Sequence, residues 1–223
     1  GLLAVPRAAL ARTTAGFAVT AIAIYLPLHH WWPSGMSFVY AQNARGLQIE
    51  AVAALPYSWW NLGPGSVTTG YQFGAIEILA SGVSHIATGL TIASLSVVVT
   101  LVVLRLCGRL ESASSADVLL TAVLTLMCTS KVLSPQYNLW IVGLMAACAI
   151  QPHPTFPTVV RLLAISTVCG HLLYPWLYIP FQQGAALAVM VHTVRIVTLV
   201  SATILMWRSV LNARPTHRAS PAL

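Results

Sequence analysis

The sequence predicts an all-α protein: a polytopic transmembrane helix bundle of about six membrane segments with one long external loop. Three observations carry that expectation. Of the 223 residues, 57% are hydrophobic and 7% are charged, and the mean hydropathy is +0.80. Soluble domains carry about 25% charged residues, so this chain is built to be solvated by lipid. The apolar residues gather into six segments, 13–28, 85–106, 117–130, 138–150, 158–174 and 184–207. Basic residues, finally, fall on one side of the alternating topology those segments define.

Taken in order, the chain opens at Gly1 in an apolar stretch, without an initiator methionine. Residues 1–223 are therefore read as the C-terminal part of a longer membrane domain. Arg7 and Arg12 precede segment 13–28 as in a signal peptide, but Leu28-His29-His30-Trp31-Trp32 offers no small-residue cleavage site. The loop 29–84 exceeds the dozen or so residues of an ordinary connector. In it, Trp31-Trp32 and Tyr57-Ser58-Trp59-Trp60 flank residues 44–55, which are expected to form an interfacial helix ended by Pro56. Asn61-Leu62-Gly63-Pro64-Gly65-Ser66 is expected to turn. A full crossing needs about 20 residues, which 85–106 and 184–207 supply. Segments 117–130 and 138–150 are short: either steeply set helices extended by their flanks, or a re-entrant pair meeting at Lys131.

With a cytoplasmic N-terminus, Arg7, Arg12, Arg105, Arg109, Arg161, Arg208, Arg214 and Arg218 lie at the inner face. Only Arg45 and Lys131 lie outside, and Arg195 falls within the last segment. This positive-inside pattern predicts a multi-pass inner-membrane protein with both termini cytoplasmic, including a tail at 208–223. It also accounts for the net charge of +7, so nucleic-acid binding is not expected. All seven tyrosines and six of the seven tryptophans fall on the outer side. Either that side simply has more loop, or its aromatics stack on sugars or steady a lipid-linked ligand.

Lys131 is the only lysine, in Lys131-Val132-Leu133-Ser134-Pro135-Gln136-Tyr137-Asn138-Leu139-Trp140 between two apolar runs. A cation near hydrocarbon needs an anion, carbonyls or water. Pro135 breaks the helix, and Ser134, Gln136, Tyr137 and Asn138 supply hydrogen-bonding groups. Lys131 either snorkels to the headgroups or clamps a lipid phosphate, with Gln136 and Tyr137 as neighbours. The second polar stretch is Arg45-Gly46-Leu47-Gln48-Ile49-Glu50. On a helix Arg45 and Gln48 would share a face, with Glu50 roughly 140° from Arg45. The two charges then need separate partners: a phosphate for Arg45, and Lys131 or a sugar hydroxyl for Glu50. The plainer alternative is an interfacial helix anchored by solvated charges.

His85 and His171, near outer segment ends, are candidates for proton transfer or phosphate contact. His192 and Arg195 share a helix face, and Arg195 is expected to pair with a carboxylate outside this sequence or to snorkel. The four cysteines form no Cys-x-x-Cys pair and read as small buried apolar groups. No metal-ligand cluster, phosphate-cradling glycine loop or nucleotide fingerprint is visible, so no metal or cofactor is expected. An outer-face enzyme would lack cytoplasmic nucleotides, which favours a lipid-linked donor.

These two stretches resemble the polyprenol-phosphate-dependent glycosyltransferases of the GT-C type, in particular glycosyltransferase family 87 and related actinobacterial mannosyltransferases. Arg45-Gly46-Leu47-Gln48 is similar to an external-loop segment of that family. Lys131 with Ser134-Pro135-Gln136-Tyr137 and Trp140 is similar to its motif before a late helix. The resemblance implies a partial GT-C fold and an inverting transfer of a hexose, mannose by analogy. The donor would be a polyprenyl-phosphate sugar, the acceptor a lipid or glycan, and the surroundings membrane lipids. Arg45, Gln48, Glu50, His85, Lys131, Ser134, Gln136 and Tyr137 become the candidate lipid-phosphate and substrate contacts. The family's general base lies in the first external loop; no residue here matches it, and neither Glu50 nor Glu77 is assigned the role. Competing readings are a lipid or lipid-linked sugar flippase, with His192 and Arg195 lining a path, and a non-catalytic scaffold.

Overall fold

A computed structural model describes residues 7–63, 67–150 and 152–213. Pro64-Gly65-Ser66 of the expected turn, and Arg214, Arg218 and the rest of the tail, lie outside the described residues. A helix coincides with each of the six apolar segments. These are α1 (Arg7–Trp31), α4 (Val83–Leu106), α5 (Ser115–Thr129), α6 (Asn138–Cys148), α7 (Phe156–His171) and α9 (Ala186–Leu211). Shorter helices α2 (Ser37–Ala44) and α3 (Leu55–Trp60) lie between α1 and α4, and α8 (Tyr178–Gln182) precedes α9.

Among the described residues, three runs are long and apolar enough to cross a membrane: α4, the span Phe156–Trp176 that extends α7, and α9. At 1.5 Å per residue, α5 and α6 are only about 22 and 16 Å long, against roughly 30 Å of hydrocarbon. They form a helical hairpin whose apex is the Lys131 loop. Ser114 opens α5 by accepting the Asp117 amide at 3.0 Å, and Asp117 adds an anion to the helix's positive end. In α1, Phe17, Val19, Ile22, Ile24 and Leu26 are all more than half exposed, as in a helix whose solvent is lipid.

The expectation of a helix over 44–55 is wrong. The chain leaves α2 at Ala44, extends through β1 (Leu47–Gln48), makes a 3₁₀ turn at Val52–Ala54 and only then enters α3. Pro56 sits at the start of α3, where its missing N–H is no loss, so it begins a helix instead of ending one. What displaced the helix is pairing: Leu47 lies opposite Ile78 and Gln48 opposite Glu77. The result is a three-stranded antiparallel sheet in the order β1-β3-β2, with β2 at Thr69–Gln72 and β3 at Ala75–Ile78. Phe73 and Gly74, both at positive φ, close the β2–β3 hairpin. The molecule is thus mostly helical, not all-α.

Three apolar clusters stack along the bundle. Leu101, Leu110, Val118 and Val210 form one end. The middle is built on Leu120, Leu124, Leu163, Leu199 and Met206, where α9 packs against α5 and α7. At the other end Leu47, Ile49, Ile78, Val83, Leu173 and Phe181 join the sheet to α4 and α9. Buried Glu50, Glu77 and Arg195 lie where this last cluster meets the middle one, whereas buried Asp117 stands at the opposite end, beside Val118.

Candidate functional site

The two polar stretches that sequence reading singled out lie 85 residues apart, and they meet. The Gln48 amide donates to the Lys131 carbonyl at 3.0 Å, and the Leu133 amide donates to Gln48 Oε1 at 2.8 Å. Gln48 therefore binds the Lys131 loop with its main chain and its side chain together. The Lys131 ammonium donates to the Arg45 carbonyl at 3.0 Å and borders a cleft of ≈ 100 Å³ with Thr88, Thr91 and Ile92 of α4. Burial pulls the Lys131 pKa below its ordinary value; Glu77 opposes that shift and Arg45 adds to it.

Arg45 and Glu50 do take separate partners within the chain, Glu77 for one and Arg195 for the other. Arg45 pairs through Nε with Glu77 at 3.6 Å and donates to the Phe73 carbonyl at 2.6 Å. Glu77 accepts the Gly46 amide at 3.0 Å. A Cβ on Gly46 would stand 3.0 Å from that same carboxylate oxygen, so any larger residue would push the carboxylate back by a few tenths of an ångström. Glu50 holds neither Lys131 nor solvent. Its carboxylate, 2% exposed as a side chain, accepts Arg195 Nη1 at 2.5 Å, with Gln48 Nε2 at 3.4 Å. Burial pushes the Glu50 carboxyl above its ordinary value, and the Arg195 charge and hydrogen bond oppose the shift.

Arg195 was expected to find its carboxylate elsewhere or to snorkel; its partner is Glu50. The reason is geometric. Nine residues past Ala186, Arg195 lies about 13 Å along α9, where Glu50 and the Lys131 loop both come within hydrogen-bond reach of it. Its Nη2 donates to the Leu133 carbonyl at 3.1 Å. Ser166 of α7 donates to its backbone carbonyl, also at 3.1 Å.

The remaining candidates spread out from this cluster. Ser134 caps the short turn Pro135–Tyr137, its carbonyl accepting the Tyr137 amide at 3.0 Å. Gln136 is exposed, and Tyr137 stacks on Trp140 with ring centroids 4.2 Å apart. His85 stands on the exposed side of the first turn of α4, and His171 is exposed near the end of α7. His192 is fully buried, its ring 4.8 Å from that of Phe181.

Glu77 and Arg195 are the members that sequence reasoning did not place at the site. A signal existed. The chain has four acidic residues, and only Glu50 and Glu77 fall on the outer side of the expected topology. On that topology Arg195 falls in the outer half of the last segment, within range of those two carboxylates. No family model, no curated protein and no solved structure matches this chain.

Proposed function

We propose that this chain is part of a membrane glycosyltransferase that takes a hexose from a polyprenyl-phosphate donor to a lipid or glycan acceptor outside the membrane. The observation that carries the reading is the convergence of Arg45-Gly46-Leu47-Gln48 and the Lys131 loop in one hydrogen-bonded layer, with the Lys131 ammonium at a cleft lined by two hydroxyls. Within the layer three cations, Arg45, Lys131 and Arg195, face two carboxylates, Glu50 and Glu77. That surplus of positive charge suits a phosphate.

In the transfer, the acceptor oxygen bonds to the anomeric carbon as the bond from that carbon to the phosphate oxygen breaks. The acceptor proton passes to a general base, and polyprenyl phosphate leaves with the electron pair. Lys131 stabilises the charge that grows on the departing phosphate, with Thr88 and Thr91 within the same cleft. Glu50 and Glu77 are engaged by arginines, so neither is assigned the base.

A flippase would need His192 and Arg195 to line an open path. They are 0% and 3% exposed, and Arg195 is bound to Glu50 and Leu133, which favours transfer over transport. The test is Lys131→Ala in the full-length protein, with transfer from a polyprenyl-phosphate hexose followed in membranes. The expected outcome is at least a tenfold rise in donor KM. Wild-type turnover and donor affinity in that variant would refute the phosphate-contact role.

A further inference from the structure

The guanidinium of Arg195 is not among the groups lining the Lys131 cleft; it grips the backbone that presents Lys131. One of its terminal nitrogens takes Glu50 and the other takes the Leu133 carbonyl, two residues from Lys131. The Leu133 amide is held in turn by Gln48 Oε1, so the main chain is tied on both sides of the Leu133 Cα. Gly170 lets α7 close on the same group, since a Cβ there would lie 3.3 Å from Arg195 Nε. We propose that Glu50 and Arg195 are positioning residues: a buried buckle between the segment after β1, α9 and the Lys131 loop that fixes where the Lys131 ammonium stands. The proposal deepens, and rests on, the reading of Lys131 as the lipid-phosphate contact.

Cohesion alone does not call for such a pair. Apolar side chains of similar volume hold two layers together as well as a buried ion pair, often better. A charged pair adds register, because the forked guanidinium satisfies two separate acceptors in only one arrangement. Here those acceptors belong to two different external segments, Glu50 on one and Leu133 on the other.

The decisive variant is the double substitution Glu50→Met with Arg195→Met, which removes the buckle without stranding a buried charge. Because Lys131 is the only lysine in the sequence given, its acylation by an amine-reactive ester can be read on its own peptide by mass spectrometry. In the full-length protein in its membrane, the double variant is expected to fold, to acylate at Lys131 several-fold faster than wild type, and to raise donor KM with kcat nearly unchanged. Arg195→Lys is expected to restore part of the KM. Wild-type acylation and KM in a folded double variant overturn the proposal. Failure of the double variant to fold also overturns it, by making the pair a requirement of the fold. Absence of hexose transfer in the wild type would sink the glycosyltransferase reading instead, and the acylation comparison would still decide whether the pair positions Lys131.

Discussion

Lys131 is held among competing charges, and its usefulness to an anion ends when it loses its proton. Burial depresses its pKa, Glu77 partly restores it and Arg45 depresses it further. Phosphate affinity that depends on the ammonium is therefore present below this lowered pKa and lost as pH rises through it, before the ordinary lysine value of 10.5 is reached. Donor KM measured against pH should climb on the alkaline side earlier than a free lysine would allow. Lys131→Arg should remove that climb, since a guanidinium keeps its charge. An identical alkaline limb in both proteins would assign it to another group. The buried pair makes a second prediction at this scale. Removing only Glu50 or only Arg195 strands a charge where each side chain is under 5% exposed, at a cost of about 3–5 kcal/mol. Removing both should recover most of that cost, and denaturant unfolding in mild detergent across the four proteins measures it. Additive losses would mean that the two side chains do not act as a pair.

At the scale of elements, the long helices were legible because lipid leaves one solution to a continuous apolar run, in which every backbone group is satisfied within its own segment. The external layer was not legible for the converse reason. Residues 44–55 have the composition of a helix, yet Leu47 and Gln48 bond to Ile78 and Glu77, thirty residues away. Strands of two to four residues carry too little alternation to announce themselves. The joint between this layer and α9 is the other feature that composition hides. Asn61, just after α3, donates through Nδ2 to the Gln182 carbonyl and accepts the Val67 amide. Gly184, at φ +72°, lies so close that a Cβ would stand 2.6 Å from the Asn61 carbonyl oxygen. Gly184→Ala should cost about 1–2 kcal/mol for the left-handed backbone and roughly 1–3 kcal/mol more for the displaced layer. Gly74→Ala has a similar φ of +79° but open space around it, so it should cost only the first part. Equal losses in the two variants would show that the contact at Asn61 contributes nothing.

For the whole molecule, the depths of separate elements agree on one level for the charges. Thr91 lies eight residues past Val83 and Arg195 nine past Ala186, so both are about 12–13 Å down their helices. The α5–α6 hairpin, too short to cross, brings its apex to that level: Ser94 of α4 bonds both the carbonyl and the hydroxyl of Thr129. The segment from Leu47 to Glu50 descends to meet it and is at most 5% exposed. Charges are thereby collected at a recess in which protein groups replace the water that hydrocarbon denies them. On the proposed orientation this recess opens to the outside. The hairpin tip at Gln72 is exposed beside the recess, whereas Cys107 is exposed at the far end of α4. In intact cells, Gln72→Cys in a Cys107→Ser background should react with a membrane-impermeant maleimide. The wild-type Cys107 should react only after permeabilisation. Should the two swap, the recess would face the cytoplasm, and an external lipid-linked donor could not be its substrate.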